Sequence, residues 1–277
     1  MEHLEYLDNL ESLERLDNLE HLEHLEHLDH LESLALLPPF ITSQPQSIMK
    51  RTDLFFALAI VAIFLPFALS DALYDAYKLF NAEHGMVMSF LKFGVLSTLG
   101  EMLGCRISTG KYIGPAFGVL PRAIVWGFLG MGINMAMIIF SKGTPLFLEY
   151  MGMTNAVQCF VADGFTMDKL WVALSVSVAM NTIFAPVFMT FHKITDAHIA
   201  AHGGKLKALL IPIPMAERFA AINWQMQWGF VFKKTIPFFW YPAHTITFLL
   251  PSEQRVLFAA LLGIVLGVLL SVSVKKK

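Results

Sequence analysis

Cysteine is nearly absent from this chain, with only Cys105 and Cys159 among 277 residues. The two form neither a CxxC motif nor a metal-ligand spacing, which excludes a disulfide framework as the basis of the fold. Common enzyme motifs are missing as well, including HExxH, GxSxG, the P-loop and a Gly-rich dinucleotide-binding turn. These absences make an enzyme less expected than a non-catalytic protein, and we predict no cofactor.

Charged residues are also scarce, at 15% of the chain, whereas hydrophobic residues make up 56%, with 24 Phe and 15 Met. The mean hydropathy of +0.58 lies outside the usual range of soluble domains. From Met49 onward the chain has 19 bases against 11 acids, because 11 of the 22 acids precede it. No basic cluster is interleaved with aromatic residues, so we predict the lipid bilayer as a partner and exclude nucleic acid.

The first 48 residues differ in character from the rest. Residues 2–34 repeat acid-x-Leu with a period of three, and a Ser/Gln/Pro stretch follows at 43–47. Each three-residue step turns an α-helix by about 300°, so the leucines circle the helix without forming an apolar stripe. We predict that residues 1–48 are a low-complexity tail and linker outside the fold, with the functional start at Met49. A surface-active helix or an oligomerisation arm is the alternative interpretation.

Residues 49–277 contain successive apolar stretches long enough for membrane helices. We predict an all-α fold, a polytopic helical membrane bundle of about six spans. The spans are predicted at about 54–70, 86–105, 123–140, 170–191, 236–250 and 256–274. A five-span variant, in which the last two stretches form a hairpin that does not cross, is an alternative.

Basic residues give the predicted orientation of these spans. With both termini cytoplasmic, 14 Lys and Arg fall on the cytoplasmic side, four fall outside, and Lys92 lies within the second span. Such an excess of basic residues is typical of cytoplasmic loops. We therefore predict a membrane protein, located in a bacterial inner membrane with both termini in the cytoplasm.

Several short motifs occur in a recognisable order between residues 86 and 274. They are Leu99-Gly100-Glu101, Pro121-Arg122, Phe184-Ala185-Pro186, Tyr241-Pro242 and Pro251-Ser252-Glu253-Gln254-Arg255. Together they resemble the Mpv-seventeen family of peroxisomal and mitochondrial inner-membrane proteins. The family's Asp-Gln before the Phe-Ala-Pro-like turn is Met180-Asn181 here, and its Gln and Asn after Trp-Pro have become His244, Thr245 and Thr247. The resemblance implies a channel-like or stress-related membrane protein, in this case an expanded, bacterial-looking relative.

Polar residues within the predicted spans are the candidates for function, because a charged group there costs about 2.5–3.5 kcal/mol on insertion scales. Glu101 is foremost, and Ser97 shares its helix face at i−4. Glu101 either lines a pore or proton relay, or has a structural role in which it caps a neighbouring helix or pairs with Arg106 or Arg122. The predicted polar path comprises Glu101, Asn181, His244, Ser97, Asn134 and Arg122. For the two asparagines, a hydrogen bond between helices is the alternative role.

Small residues and prolines indicate how the helices pack and bend. Two Gly-x-x-x-Gly pairs permit close helix contact within one chain or in a homo-oligomer, namely Gly100 with Gly104 and Gly263 with Gly267. We predict hinges at Pro186 and Pro242, where broken helices would expose carbonyl groups to the path.

Metal binding has only a weak signal. His198 and His202 are four residues apart and could offer two imidazoles to a metal. Because no third ligand has a fitting spacing, an interfacial helix face is the preferred interpretation. We therefore predict no metal site.

Three function classes follow from these features. The leading hypothesis is a channel-like or transport-related bundle with an unknown solute, in which Glu101, Asn181 and His244 face a central polar path. The first alternative is a membrane scaffold or assembly factor, expected if the interior is packed and dry. The second is an intramembrane enzyme using Glu101 and His244 as an acid/base pair, which requires the two groups about 2.6–3.2 Å or one water apart.

Overall fold

A computed structural model describes residues 50–275 of the chain, with side chains through residue 265. The regular secondary structure of this part consists of helices and contains no strand, which confirms the all-α prediction for the described residues. The predicted tail of residues 1–48 and the predicted start at Met49 lie outside them.

The first half of the described chain contains six helices. They are α1 (Arg51–Leu69), α2 (Asp71–Glu83), α3 (Gly85–Thr109), α4 (Val119–Tyr150), α5 (Ala156–Val161) and α6 (Met167–Ala201). Four of these, α1, α3, α4 and α6, are long and apolar enough to cross a membrane. They coincide with the first four predicted spans, and they support an integral membrane protein.

The second half begins with short elements and ends with longer ones. A 3-10 helix at Leu206–Leu210 is followed by α7 (Met215–Ala220), α8 (Trp224–Met226), a π-helix at Gln227–Trp240, α9 (Tyr241–Leu249) and α10 (Ser252–Lys275). The predicted fifth span falls across the end of the π-helix and α9, and the sixth falls within α10. Four candidate spans are therefore found among the described residues, and the count of six stays a prediction.

The π-helix is a feature that the sequence reasoning missed. It extends over 14 residues, whereas π-helical segments are mostly single turns inside α-helices, frequently at functional sites. Pro237 lies inside it, and proline has no backbone N–H to donate and clashes with the preceding turn of a regular α-helix. Pro242 follows in the first turn of α9, so the irregular segment ends where the predicted hinge lies.

The core of the bundle forms where α3 packs against α4 and α10, and where α6 packs against α4 and α9. Glycines permit the close contact between α3 and α4. A Cβ at Gly94 would lie 2.9 Å from the Ala123 carbonyl oxygen, and one at Gly130 would lie 2.4 Å from Phe93 Cβ. Around this contact the apolar side chains of Phe93, Val172, Val176, Met180 and Phe248 are buried.

The predicted Gly-x-x-x-Gly pairs lie on α3 and α10, two helices that pack together within one chain. A Cβ at Gly100 would lie 3.1 Å from Ile264 Cα, and one at Gly263 would lie 4.0 Å from Ser97 Oγ. Gly104 lies one turn further along α3, and Gly267 lies beyond the last described side chain. The described contacts thus place Gly100 and Gly263 in packing within the chain, and their role in a homo-oligomer stays a prediction.

Pro186 does not break its helix, which corrects one expectation. Helix α6 continues through Pro186 to Ala201. The hydroxyl of Thr190 donates a hydrogen bond of 2.7 Å to the Pro186 carbonyl oxygen. Proline removes the backbone donor to the carbonyl four residues earlier, that of Thr182, and membrane helices tolerate such a loss without interruption.

Candidate functional site

Four ionisable side chains from three helices meet at one end of the bundle. Arg122 Nη1, in the first turn of α4, donates to Glu101 Oε2 of α3 at 2.6 Å and to Asp196 Oδ1 of α6 at 2.7 Å. His192 Nε2 of α6 lies 3.0 Å from Glu101 Oε1 and 3.8 Å from Asp196 Oδ2. We call Glu101, Arg122, His192 and Asp196 the charged cluster. All four side chains are mostly buried, with between 13% and 20% of each exposed.

A tight loop before α4 orients the arginine. Arg122 Nε donates to the Phe117 carbonyl oxygen at 2.6 Å, which leaves the end of the guanidinium for the two carboxylates. The next residue, Gly118, has a φ of 67°, and a Cβ there would lie 2.7 Å from Gly204 Cα. Glycine is therefore required for this loop to approach the chain just beyond α6, since other residues rarely adopt this backbone conformation.

The formal charges define what the charged cluster can hold. Two carboxylates and one guanidinium sum to −1 when His192 is neutral and to zero when it is protonated. Glu101, His192 and Asp196 can also bring one ligand atom each within 4.8 Å of one another, as a metal site would require. However, Arg122 occupies an oxygen of each carboxylate and its positive charge opposes a divalent cation. The geometry therefore suits a bound or transferred proton better than a metal ion.

His198 and His202, the weak metal candidates, lie elsewhere on the same helix end. Their rings contact each other at 4.4 Å, His198 Nε2 lies 3.1 Å from the Ala208 carbonyl oxygen, and His202 Nδ1 lies 2.8 Å from the His198 carbonyl oxygen. They belong to no potential three-ligand group among the described residues. The spacing of His192 and Asp196, one turn apart at the end of a span, was the signal that could have identified the charged cluster.

A second polar group lies deeper in the bundle. Asn181 of α6 and His244 of α9 are both buried, and their side chains are joined through His244 Nδ1 at 3.0 Å. Ser177, one turn before Asn181, donates from Oγ to the Tyr241 carbonyl oxygen at 2.8 Å, and Asn181 Nδ2 donates to the Ser177 carbonyl oxygen at 2.8 Å. We call Ser177, Asn181 and His244 the inner polar group. It fastens α6 to the junction of the π-helix and α9.

The two polar groups lie on one face of α6 with aromatic rings between them. Asn181 and His192 are eleven residues apart, which is about three helical turns or roughly 16 Å. Phe184 and Phe188 occupy the same face in between, with ring centroids 5.4 Å apart, and Trp126 of α4 lies 6.2 Å from Phe188. We call Phe184, Phe188 and Trp126 the aromatic layer.

Several buried polar atoms near these groups have no protein hydrogen-bond partner within the described chain: Ser97 Oγ, Thr98 Oγ1, Trp126 Nε1 and Trp240 Nε1. The two indoles lie against the two histidines, since Trp126 is 4.4 Å from the His192 ring and Trp240 is 4.9 Å from the His244 ring. An unsatisfied buried polar atom costs about 1–3 kcal/mol. Each indole N–H is therefore a donor available to a polar molecule in this region.

The remaining predicted path residues are not joined to these groups. Ser97 is buried beside Gly263 of α10 rather than hydrogen-bonded to the charged cluster. Asn134 Nδ2 lies 3.4 Å from the Gly85 carbonyl oxygen, near the opposite end of α3. In addition, Glu101 and His244 belong to groups about 16 Å apart along α6. The acid/base pair required by the enzyme hypothesis is therefore not formed.

Comparison with protein families, with curated proteins and with solved structures gives no match. The four apolar helices of the chain support an integral membrane protein.

Proposed function

We propose that this protein is a channel-like or transport-related membrane protein whose polar path follows the inward face of α6. The observation that carries the proposal is the succession of two hydrogen-bonded polar groups with an aromatic layer between them on that face. A hydrophobic constriction between wetted polar regions is one way in which membrane pores are gated.

The charged cluster, the aromatic layer and the inner polar group each have a distinct role in the proposed path. The charged cluster, whose side chains are partly exposed, forms the mouth of the path and holds a proton at His192 as solutes or ions pass. The aromatic layer closes the path while its rings remain in contact. The inner polar group lies against the π-helix, and a change in the winding of that helix would move His244 relative to Asn181.

The unpartnered polar atoms favour this proposal over a scaffold with a packed, dry interior. In such a scaffold Trp126 Nε1 and Trp240 Nε1 would each impose an uncompensated desolvation cost. Along a polar path they would donate to the passing molecules. Their positions beside His192 and His244 place both donors where the path is proposed.

We further propose six spans, with the π-helix and α9 together forming the fifth and α10 the sixth, in a bacterial inner membrane with both termini cytoplasmic. The Lys and Arg distribution supports this orientation. Membership of the Mpv-seventeen family is proposed on the order of the motifs along the chain. It is supported by the contact between two of them, since Glu101 and Arg122 form an ion pair in the bundle.

The experiment that tests the function is conductance in planar bilayers bathed in KCl, with the purified full-length protein. Glu101→Gln should reduce or abolish conductance because it removes a charge from the mouth of the path. Asp53→Asn is the matched control, since Asp53 is also a carboxylate bound to an arginine of α3, Arg106 at 2.7 Å, but lies outside the path. Absence of conductance in the parent, or an equal effect of both substitutions, would contradict the proposal.

A second comparison tests the aromatic layer. Phe188→Ala should widen the constriction and raise conductance. Phe191→Ala removes the same ring from the same helix at an exposed position and should change conductance little. Equal conductance in both variants would show that the aromatic layer does not close a path.

A further inference from the structure

Lys92 is a buried cation on α3, on the helix face opposite Glu101. The two residues are nine positions apart, which corresponds to about 180° around an α-helix. Only 7% of Lys92 is exposed. Its Nζ donates to Asn81 Oδ1 of α2 at 2.5 Å and lies 5.2 Å from the centre of the Tyr77 ring.

No carboxylate of the described chain balances this charge, since none lies within ion-pair distance of Lys92. Asp75 of the adjacent α2 is paired with Lys78 at 2.8 Å. Tyr77 cannot serve as an anion either, because burial, and to a lesser extent neighbouring Tyr74, raises the pKa of its phenol. The contacts of Lys92 are thus with a neutral amide and a neutral ring.

These neutral contacts do not compensate the burial of the Lys92 charge. Transferring an ammonium group from water to a protein interior is unfavourable unless a counter-charge and hydrogen bonds compensate. A lysine near the end of a membrane helix usually extends its amine to water, whereas this amine contacts Asn81 and Tyr77 of α2. An ammonium has three N–H donors, and Asn81 Oδ1 accepts only one.

The surroundings of the amine are apolar on one side. Tyr77 contacts Phe67 of α1 with ring centroids 5.4 Å apart, so the amine lies in the corner where α1, α2 and α3 meet. No residue of α1 is buried, although the helix is strongly apolar. This corner therefore combines an unbalanced cation with surface suited to an acyl chain.

We propose that the corner of α1, α2 and α3 binds an anionic phospholipid, with a phosphate oxygen accepting hydrogen bonds from Lys92 Nζ. The phosphate supplies the missing negative charge, and the acyl chains lie along the apolar surface of α1. Asn81 and Tyr77 hold the ammonium in position for the head group.

The test is native mass spectrometry of the full-length protein released from nanodiscs of phosphatidylcholine containing phosphatidylglycerol. The parent should retain phosphatidylglycerol, and Lys92→Met should lower its retention about tenfold, the effect of losing a hydrogen bond to a charged group. Lys92→Arg keeps the cation and should keep the lipid. Lys78→Gln removes an exposed cation of the same region and is the control for general attraction to anionic lipid.

Equal retention by the parent and by Lys92→Met would overturn the proposal, as would an equal loss in Lys78→Gln. Inorganic phosphate is tested as a second possible ligand of Lys92. If it protects the parent from thermal unfolding as well as phosphatidylglycerol does, the source is a free anion and the lipid assignment is wrong. Because conductance is not measured here, failure of this proposal is distinguishable from failure of the proposed polar path.

Discussion

Arg122 and Lys92 are two largely buried cations of the bundle whose charges are compensated in different ways. Arg122 contacts two carboxylates and a carbonyl oxygen supplied by the chain itself. Lys92 contacts one amide oxygen and the face of one aromatic ring. The chain itself supplies the counter-charges of Arg122, whereas for Lys92 we propose that a lipid phosphate supplies it.

The largest effect is expected from Arg122→Met. Removal of the guanidinium leaves Glu101 and Asp196 close together without their cation, and breaking a buried ion pair in this way costs about 3–5 kcal/mol. Thermal unfolding in phosphatidylcholine nanodiscs measures the loss. A melting temperature equal to that of the parent would show that the charged cluster does not hold the three helices together.

Asn181→Ala should have the next largest effect. The substitution leaves His244 Nδ1 buried without its partner, at a cost of about 1–3 kcal/mol. Asn134→Ala is the matched control, because its longer contact of 3.4 Å joins α4 to the end of α3 and should contribute only about 0.6 kcal/mol. A smaller loss for Asn181→Ala than for Asn134→Ala would contradict the importance of the inner polar group.

Lys92→Met should not destabilise the protein, in contrast to Arg122→Met. In pure phosphatidylcholine, methionine fills the same space without an unbalanced charge, so stability should be unchanged or rise by about 1 kcal/mol. The same unfolding measurement gives the result. A loss as large as that of Arg122→Met would mean that the protein does supply a counter-charge to Lys92, and the comparison between the two cations would fail.

The smallest effect is expected from Asp53→Asn. Asp53 accepts hydrogen bonds from Arg106 and, at 3.0 Å, from the Tyr112 hydroxyl, and these contacts link the start of α1 to α3 and the following loop. An asparagine keeps part of this contact, so the loss should be about 1 kcal/mol or less. Cross-linking of α1 to α3 would then remain efficient, whereas dissociation of α1 would show that this link alone positions the helix.

The sequence indicated several single residues of the candidate site but not which residues they contact. Glu101 and Arg122 were recognised because ionisable groups in apolar stretches are rare and costly. The participation of His192 and Asp196 was missed, since both lie at the end of a span, where polar residues usually face water. Ser97 is predicted in the path by its i−4 spacing to Glu101, and Asn134 by its place within an apolar span. In the structure Ser97 packs against α10 and Asn134 contacts the opposite end of α3, away from the charged cluster.

Sequence alone determined the membrane class and the first four helices, because long apolar runs in helical conformation satisfy every backbone polar group within the lipid. It could not determine the π-helix at Gln227–Trp240, the continuity of α6 through Pro186, or the pairing of Asn181 with His244. These depend on contacts between residues distant in the chain, such as Ser177 with the Tyr241 carbonyl. Tertiary structure also decided which buried charges are balanced. Two charged groups compensate each other only when they lie a few ångströms apart, and spacing along the sequence does not determine that distance.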